Sequence, residues 1–269
     1  MKKLFSLLMS GTLLAAGCNI QSNTATRARP TPTPSTSAQA SNTPTPNAPI
    51  SPVPSQSLTV SQQTSSPYPW HTNITTTVFW VGEPVGNGSS EDNALSAYDD
   101  DWRSSFGCFD DPLKRSGYYP AGCTPKENPF YLDLPYADFD DSGVRKADAS
   151  TVVPWAHSRN WSETESMMKN QWVELYNPAT KQTCYGQIQD AGPYEYDDVR
   201  YVFGAKDDRP KNTNANYAGM DVSPALRDCL KFTGTNNDEN SVHWRFASAN
   251  SVPAGPWKSI VTTSGIHWK

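Results

Sequence analysis

Two aspartates occupy positions from which a side chain can carry out acid–base chemistry. Asp190 ends the alternating segment CYGQIQD, residues 184–190, and a rigid Ala-Gly-Pro turn follows it directly. Asp221 stands shortly before Ser223 and Pro224, where a helix is expected to begin. A carboxyl group that is buried, or that faces a second carboxylate, has a raised pKa and can donate a proton near neutral pH. We therefore predict Asp190 as a general acid and base and Asp221 as its electrostatic partner.

A structural interpretation is open for each candidate. Asp190 can satisfy the amides of its turn, and Asp221 can cap the helix that follows it. His157, in the segment WAH, is the third candidate and is predicted to orient a substrate or to share the proton. It can equally be a histidine packed inside the fold. In a hydrolytic reaction a second carboxylate must position water, and Asp133 and Asp138 are the candidates for that role.

The elements around these residues indicate a small β-barrel with additional loops. Segments rich in β-branched and aromatic residues predict strands. Ser223 is a good N-cap and Pro224 suits the first position of a helix. The predicted strands are 74–81, 128–136, 171–177, 183–190, 242–247 and 258–264, and the predicted helices are 91–107 and 223–232. Many strands, few helices and Gly/Pro turns are typical of a mainly β barrel.

Four cysteines in the second part of the chain predict two disulfides. An even number of cysteines in an exported domain is typical of such bridges, and the sequence alone leaves three pairings open. A metal site is the competing interpretation, but the chain has no C-x-x-C pair and its four histidines are scattered. We therefore predict neither a metal nor a cofactor. The cysteines are Cys108, Cys123, Cys184 and Cys229.

The N-terminal segment, residues 1–18, predicts export and a lipid anchor. Lys2 and Lys3 precede a short apolar stretch that is too short to cross a bilayer as a permanent helix. The segment ends in LLAAGC, which resembles a bacterial lipobox, and the resemblance implies that Cys18 is lipidated after cleavage. An ordinary secretion signal is the alternative. We expect an exported protein attached to a membrane of the cell envelope, the outer membrane where the cell has one.

Residues 19–66 predict a tether and residues 67–269 a folded domain. The first segment is rich in Pro, Ser and Thr, a composition that cannot form a core and that favours extended chain. With a net charge of −5 and no basic run, the chain is not expected to bind nucleic acid. We expect a monomer that works on something fixed near the membrane, such as the cell wall.

Four segments of the folded domain stand in an order that resembles a known family. They are WAH (155–157), WVELYNPATKQTCYGQIQDAGP (172–193), GMDVSPALRDCL (219–230) and SVHWRF (241–246). Together they resemble the double-psi β-barrel of the rare lipoprotein A family and, more distantly, expansins and expansin-related endoglucanases. The resemblance implies a six-stranded double-psi β-barrel with extra loops, a short helix after the Asp-Val-Ser-Pro motif, and N-terminal decorations.

The resemblance also implies roles for individual residues. His157 matches the family's Ala-His histidine, Asp190 the Asp-x-Gly-Pro aspartate, and Asp221 the Asp-Leu-Ser aspartate. In lytic members the histidine and the first aspartate are implicated in cleaving peptidoglycan strands, whereas in expansins the two aspartates line a polysaccharide groove without hydrolysis. Ala191 stands where the family usually has arginine. We favour the disulfides Cys108–Cys123 and Cys184–Cys229, because the paired cysteines are neighbours among the four and because the expected fold suits this pairing.

The expected function follows from this resemblance. We predict a surface-anchored protein that binds cell-wall polysaccharide and cleaves it as a lytic transglycosylase or endoglucanase-like enzyme. A non-catalytic, expansin-like binder and a structural envelope lipoprotein are the alternatives. Aromatic faces stack on sugar rings, and the residues predicted to do so here are Tyr131, Tyr136, Trp155 and Tyr194.

Overall fold

The computed structural model describes residues 66–86, 92–235 and 240–269. The predicted signal segment 1–18, which includes Cys18, lies outside the described residues, as does the predicted tether up to residue 65. Within the described ranges, no helix has the length and the apolar character that crossing a membrane requires.

Short strands dominate the described part of the chain, and the helices are brief. The strands are β1 (His71–Val78), β2 (Arg115–Ser116), β3 (Tyr119–Pro120), β4 (Tyr131–Leu134), β5 (Trp172–Asn177), β6 (Gln182–Ala191), β7 (Met220–Val222) and β8 (Ser241–Ala247). The α-helices are α1 (Trp102–Phe106), α2 (Ala149–Val152), α3 (Val199–Phe203) and α4 (Pro224–Leu230), and 3-10 turns cover Ala156–Ser158, Ala215–Tyr217 and Pro256–Lys258.

Six of these strands close into a barrel in the order β1-β7-β4-β6-β5-β8. The pairs β1/β7 and β4/β6 are parallel, and the other neighbours run antiparallel. Because β7, β4 and β6 are adjacent, residues at corresponding positions on these three strands come close together. The barrel therefore brings segments around positions 133, 190 and 221 side by side.

The barrel interior explains why these segments form strands. All four residues of β4 are buried, and large apolar side chains from every wall meet inside. Trp244 is fully buried and stacks on His71 with ring centroids 4.1 Å apart. A second, smaller cluster packs Phe79, Trp102 and Phe106 around Tyr131. Burying side chains of this size supplies the main stabilisation of such a fold.

The predicted mainly β barrel is confirmed, and so is the helix after Ser223. The hydroxyl of Ser223 accepts a hydrogen bond from the backbone N–H of Leu226 at 3.2 Å, as an N-cap should. The two favoured disulfides are also present, Cys108–Cys123 and Cys184–Cys229. The second bridge ties β6 to α4, because Cys184 lies on the strand and Cys229 on the helix.

Two predicted elements are wrong. The expected helix 91–107 is limited to Trp102–Phe106, because the preceding chain turns in a bridge between Ser96 and Asp99. The expected strand 258–264 is not a strand. Its backbone is held by side chains instead, since Thr262 donates its N–H to Gln187 Oε1 at 2.9 Å and its hydroxyl accepts the N–H of Asn128 at 2.8 Å.

Candidate functional site

Asp190 lies near the end of β6 and is held by backbone amides. It is paired in register with Asp133 on the parallel strand β4, and only 6% of its surface is exposed. Its Oδ1 accepts a hydrogen bond from the N–H of Ala97 at 2.6 Å and from that of Ala191 at 2.8 Å. Hydrogen bonds of this kind stabilise the ionised form of a carboxyl group. The two amides therefore fix the orientation of the Asp190 carboxyl group.

Asp221 lies on β7 at the same end of the barrel. It faces Thr77 of β1 in register, and the Thr77 hydroxyl donates to its Oδ1. Its own backbone N–H donates to Asp133 Oδ1 at 2.7 Å. Asp133 thus lies between the two predicted catalytic aspartates, in register with Asp190 and hydrogen-bonded to the Asp221 backbone.

The pKa of Asp221 is raised by its surroundings. Burial raises its pKa to about 6, the Thr77 hydrogen bond acts in the opposite direction, and the negative charge of Asp190 raises it further. A carboxyl group with this pKa is partly protonated at mildly acidic pH, and it can act as an acid there. The structure therefore brings Asp190 and Asp221 together around Asp133, and a raised pKa is the property that a proton donor near neutral pH requires.

A third acidic group, Glu83, belongs to the same cluster and was not predicted. It is 3% exposed, and Asn93 Nδ2 donates to its Oε2 at 3.3 Å. Burial, with a further contribution from the Asp221 charge, raises its pKa to about 8. Glu83 follows β1 in the loop segment VGEPVG, which contains no pattern that marks it as an acid–base residue.

Replacing Glu83 by glutamine is expected to flatten the pH dependence of stability. Between pH 4.5 and about 8 the folded protein keeps a proton on Glu83 that the unfolded chain releases, so stability falls as the pH rises through this range. At 1.36 kcal/mol per pKa unit, the complete loss is roughly 5 kcal/mol. Glutamine retains the acceptor for Asn93 but does not ionise.

Urea unfolding at several pH values between 4 and 9 measures this effect. The exposed Glu163 gives the matched control, since Glu163→Gln should leave the pH dependence as it is in the wild type. A Glu83→Gln protein whose stability still falls in parallel with the wild type would contradict the assignment.

A strap formed by residues 266–269 holds the loop that contacts Asp190. Trp268 Nε1 donates to the carbonyl of Ala97 at 3.2 Å, and the N–H of His267 donates to the carbonyl of Tyr98 at 2.9 Å. His267 Nδ1 also lies 3.1 Å from Asp99 Oδ1. The strap thereby keeps the Ala97 amide in place against the carboxylate of Asp190.

Steric constraints explain why glycine stands at position 192, in the turn after Asp190. Gly192 has a φ of +151°, and a Cβ atom there would lie 2.9 Å from Asp133 Oδ2. Only glycine allows the turn to pass so close to this carboxylate. Tyr194, which follows the turn, is 42% exposed and can present a ring near the acidic cluster.

The remaining predicted site residues lie elsewhere in the structure. His157 is exposed in the 3-10 turn Ala156–Ser158, and it lines a surface cavity of about 700 Å³ together with Arg145, Arg159 and Trp161. Neither Asp190 nor Asp221 is among the described residues that line this cavity. Trp155 is half-buried against Tyr68 and Phe246 and lines a neighbouring cavity.

Tyr131 and Tyr136 lie in the core instead of along a groove. Their exposed fractions are 0% and 1%, so neither ring offers a face to a bound sugar. The hydroxyl of Tyr131 donates to Asp110 Oδ2 at 2.9 Å and accepts the N–H of Val81 at 2.9 Å. We therefore do not retain these two tyrosines as substrate-binding residues.

Asp138, considered above as a water-positioning residue, is used structurally. It is fully buried, and it accepts hydrogen bonds from the Ser166 hydroxyl and, at 2.7 Å, from the N–H of Met167. Among the described residues, no group of three or more His, Cys, Asp and Glu side chains is arranged to hold a metal ion.

Comparison with known proteins does not assign a family or a function to this chain. No model of a known protein family matches the chain, and no curated protein matches it. The resemblance to the rare lipoprotein A family stays a prediction, and any function must be argued from the acidic cluster itself.

Proposed function

We propose that this protein is an exported, lipid-anchored polysaccharide-active protein that binds cell-wall glycan and cleaves it at the barrel end occupied by Asp190 and Asp221. The observation that carries the proposal is the strand order and register that place Asp190 and Asp221 on either side of Asp133 at one end of the barrel, where burial raises the pKa of Asp221. Glycoside cleavage uses one carboxyl that gives a proton and a negative charge that stabilises the developing oxocarbenium ion. These two groups have the contrasting environments that this division of labour requires.

The steps assign one task to each residue. Asp221 gives its proton to the glycosidic oxygen as the bond from that oxygen to the sugar carbon breaks. Asp190 remains ionised and stabilises the positive charge on the sugar. The Asp221 carboxylate then removes a proton from the sugar's own hydroxyl, whose oxygen closes on the positive carbon. No attacking water is needed in this lytic route, and the enzyme returns to its starting protonation.

The barrel supports the proposed family assignment. Two parallel strand pairs within an otherwise antiparallel six-stranded closure agree with the double-psi type. The helix that begins directly after Ser223 agrees with the motif that the resemblance places there. The wall is the proposed partner, because the predicted lipid anchor and tether would hold the domain close to it.

The pH dependence of product formation tests the proposal. Incubating the purified full chain with insoluble peptidoglycan is expected to release soluble anhydro-sugar products at pH 5. Asp221 must be protonated to act as the acid, and its pKa is about 6, so the rate should fall about tenfold per pH unit above pH 6. No release at any pH would overturn the proposal of cleavage, and release that is unchanged from pH 5 to pH 8 would overturn the role of Asp221 as the acid.

A non-catalytic polysaccharide binder is the second candidate, because one observation favours it. Asp190 is only 6% exposed, which restricts the access of a sugar chain to the pair. In that case the protein should sediment with insoluble cell wall or cellulose without releasing soluble sugar. The same incubation, analysed for bound protein and for soluble product, separates the two functions.

A further inference from the structure

Two adjoining surface cavities form a groove that is separate from the acidic cluster. The larger has a volume of about 700 Å³ and the smaller about 300 Å³, and both are lined by Arg159 and Trp161. Their sizes fall within the range of about 300–1,000 Å³ that is typical of ligand sites. We propose that this basic groove, defined by Arg145, His157, Arg159, Trp161 and Trp155, binds a glycan that carries carboxylate groups.

The charge of the larger cavity favours an anionic ligand. Its described lining contains the guanidinium groups of Arg145 and Arg159 and the imidazole of His157, and no carboxylate. Arg159 is paired with Glu165 at 2.6 Å, and Arg145 Nε lies 4.0 Å from Asp138 Oδ2, so a ligand carboxylate would share the two arginines with these groups. A guanidinium group pairs with a carboxylate through two parallel hydrogen bonds, which gives both affinity and orientation.

Both arginines are held in position by groups behind the lining. Arg145 Nη2 donates to the carbonyls of Ser162 at 2.8 Å and Glu165 at 2.5 Å, which are neutral acceptors. Arg159 Nη1 donates to Glu165 Oε1 at 2.6 Å, and its side chain is still 50% exposed. Guanidinium groups fixed in this way lose little freedom when a ligand binds.

The aromatic residues favour a sugar over a simple anion. Trp161 lies beneath Arg159, whose guanidinium carbon is 3.8 Å from the ring centroid. Trp155 and Tyr68 line the smaller cavity together with the polar side chains of Ser158 and Gln171. Flat rings beside hydroxyl and amide groups suit a saccharide, because it has both apolar faces and hydroxyl groups at its rim.

The indole N–H groups of Trp155 and Trp161 are already hydrogen-bonded within the protein. Trp155 Nε1 donates to the carbonyl of Met167 at 2.6 Å, and Trp161 Nε1 donates to that of Ala156 at 2.9 Å. These bonds fix the rings, and the guanidinium group of Arg159 covers one face of Trp161, so a ligand meets the two side chains as a stacked pair. The groove therefore offers positive charge at one end and aromatic surface at the other, and it does not depend on whether Asp221 cleaves a glycan.

Calorimetric titration of the purified full chain with an oligogalacturonide tests this proposal. The expected result is measurable binding that weakens as salt is added, since surface charge pairs are screened. Replacing Arg159 by glutamine should weaken binding at least tenfold, and Arg159→Lys, which keeps the charge but loses the paired hydrogen bonds, should lie between the two.

Arg200 provides the matched control. Its side chain is 80% exposed and is paired with Asp208, so Arg200→Gln removes the same charge away from the described lining. Its affinity for the oligogalacturonide should stay within twofold of the wild type. A lack of binding by the wild type, equal affinities for wild type and Arg159→Gln, or equally tight binding of a neutral cello-oligosaccharide of the same length would each overturn the proposal.

Discussion

Replacing Asp221 by asparagine is expected to abolish glycan cleavage while the barrel stays folded. Asparagine has nearly the same shape and can still accept the hydrogen bond of the Thr77 hydroxyl, but it cannot donate a proton and recover it. General acid–base catalysis contributes about 10²–10⁴-fold to a rate, so product formation should fall by about this factor. Stability should not fall, because the change removes a carboxyl group whose ionisation burial disfavours.

Release of soluble sugar from peptidoglycan at pH 5 measures this loss, and thermal unfolding verifies the fold. The matched control is Asp141→Asn, which changes an exposed aspartate of the turn after β4 and should leave the rate as in the wild type. An Asp221→Asn protein that cleaves at the wild-type rate would remove Asp221 from the mechanism. If only Asp190→Asn lost activity in the same assay, Asp190 would be the acid that the sequence first indicated.

Removing the disulfide Cys184–Cys229 is expected to cost about 4 kcal/mol of unfolding free energy. The bridge joins residues 45 positions apart and restricts the unfolded chain accordingly. It also connects β6, which carries Asp190, to α4, which begins directly after β7 and its Asp221. Without the bridge the two walls of the acidic cluster lose a covalent connection. Urea unfolding of the double alanine variant measures the effect.

The other disulfide supplies the comparison. Cys108–Cys123 spans 15 positions, so the same entropic argument gives about 3 kcal/mol for its removal. That bridge lies in the chain between α1 and β4, outside β6 and α4. We expect the Cys184/Cys229 double variant to be the less stable of the two. If the Cys108/Cys123 double variant were the less stable one, loop length would not explain the difference in stabilisation between the two disulfides.

Local patterns in the sequence predicted five of the six barrel strands, β1, β4, β5, β6 and β8, but not the three-residue strand β7. Alternation of residue types in the sequence located β6, although its last eight residues are all buried, so that both faces of the strand are covered. The Ser223-Pro224 start located α4 for a similarly local reason. The prediction of a strand at 258–264 was wrong. Its β-branched residues are typical of a strand, but the backbone N–H of Thr262 donates to the side chain of Gln187, and no local sequence pattern indicates such a contact.

The acidic cluster was only partly predictable from sequence. Asp190 was indicated by its place before the Ala-Gly-Pro turn and Asp221 by the resemblance to the rare lipoprotein A family, and strand register places both beside Asp133. Glu83 has no such signal, since its raised pKa arises from burial and from a charge on a distant strand. His157 shows the opposite failure. The WAH segment suggested proximity to the aspartates, but its loop lies at the basic groove instead.

The strap formed by residues 266–269 has a consequence for how the protein is made. The indole of Trp268 that fixes Ala97 belongs to a residue synthesised 171 positions later in the chain. A chain still emerging from the ribosome therefore lacks the clamp on the loop beside Asp190. This contact on the Ala97 loop forms only once residue 268 has been synthesised.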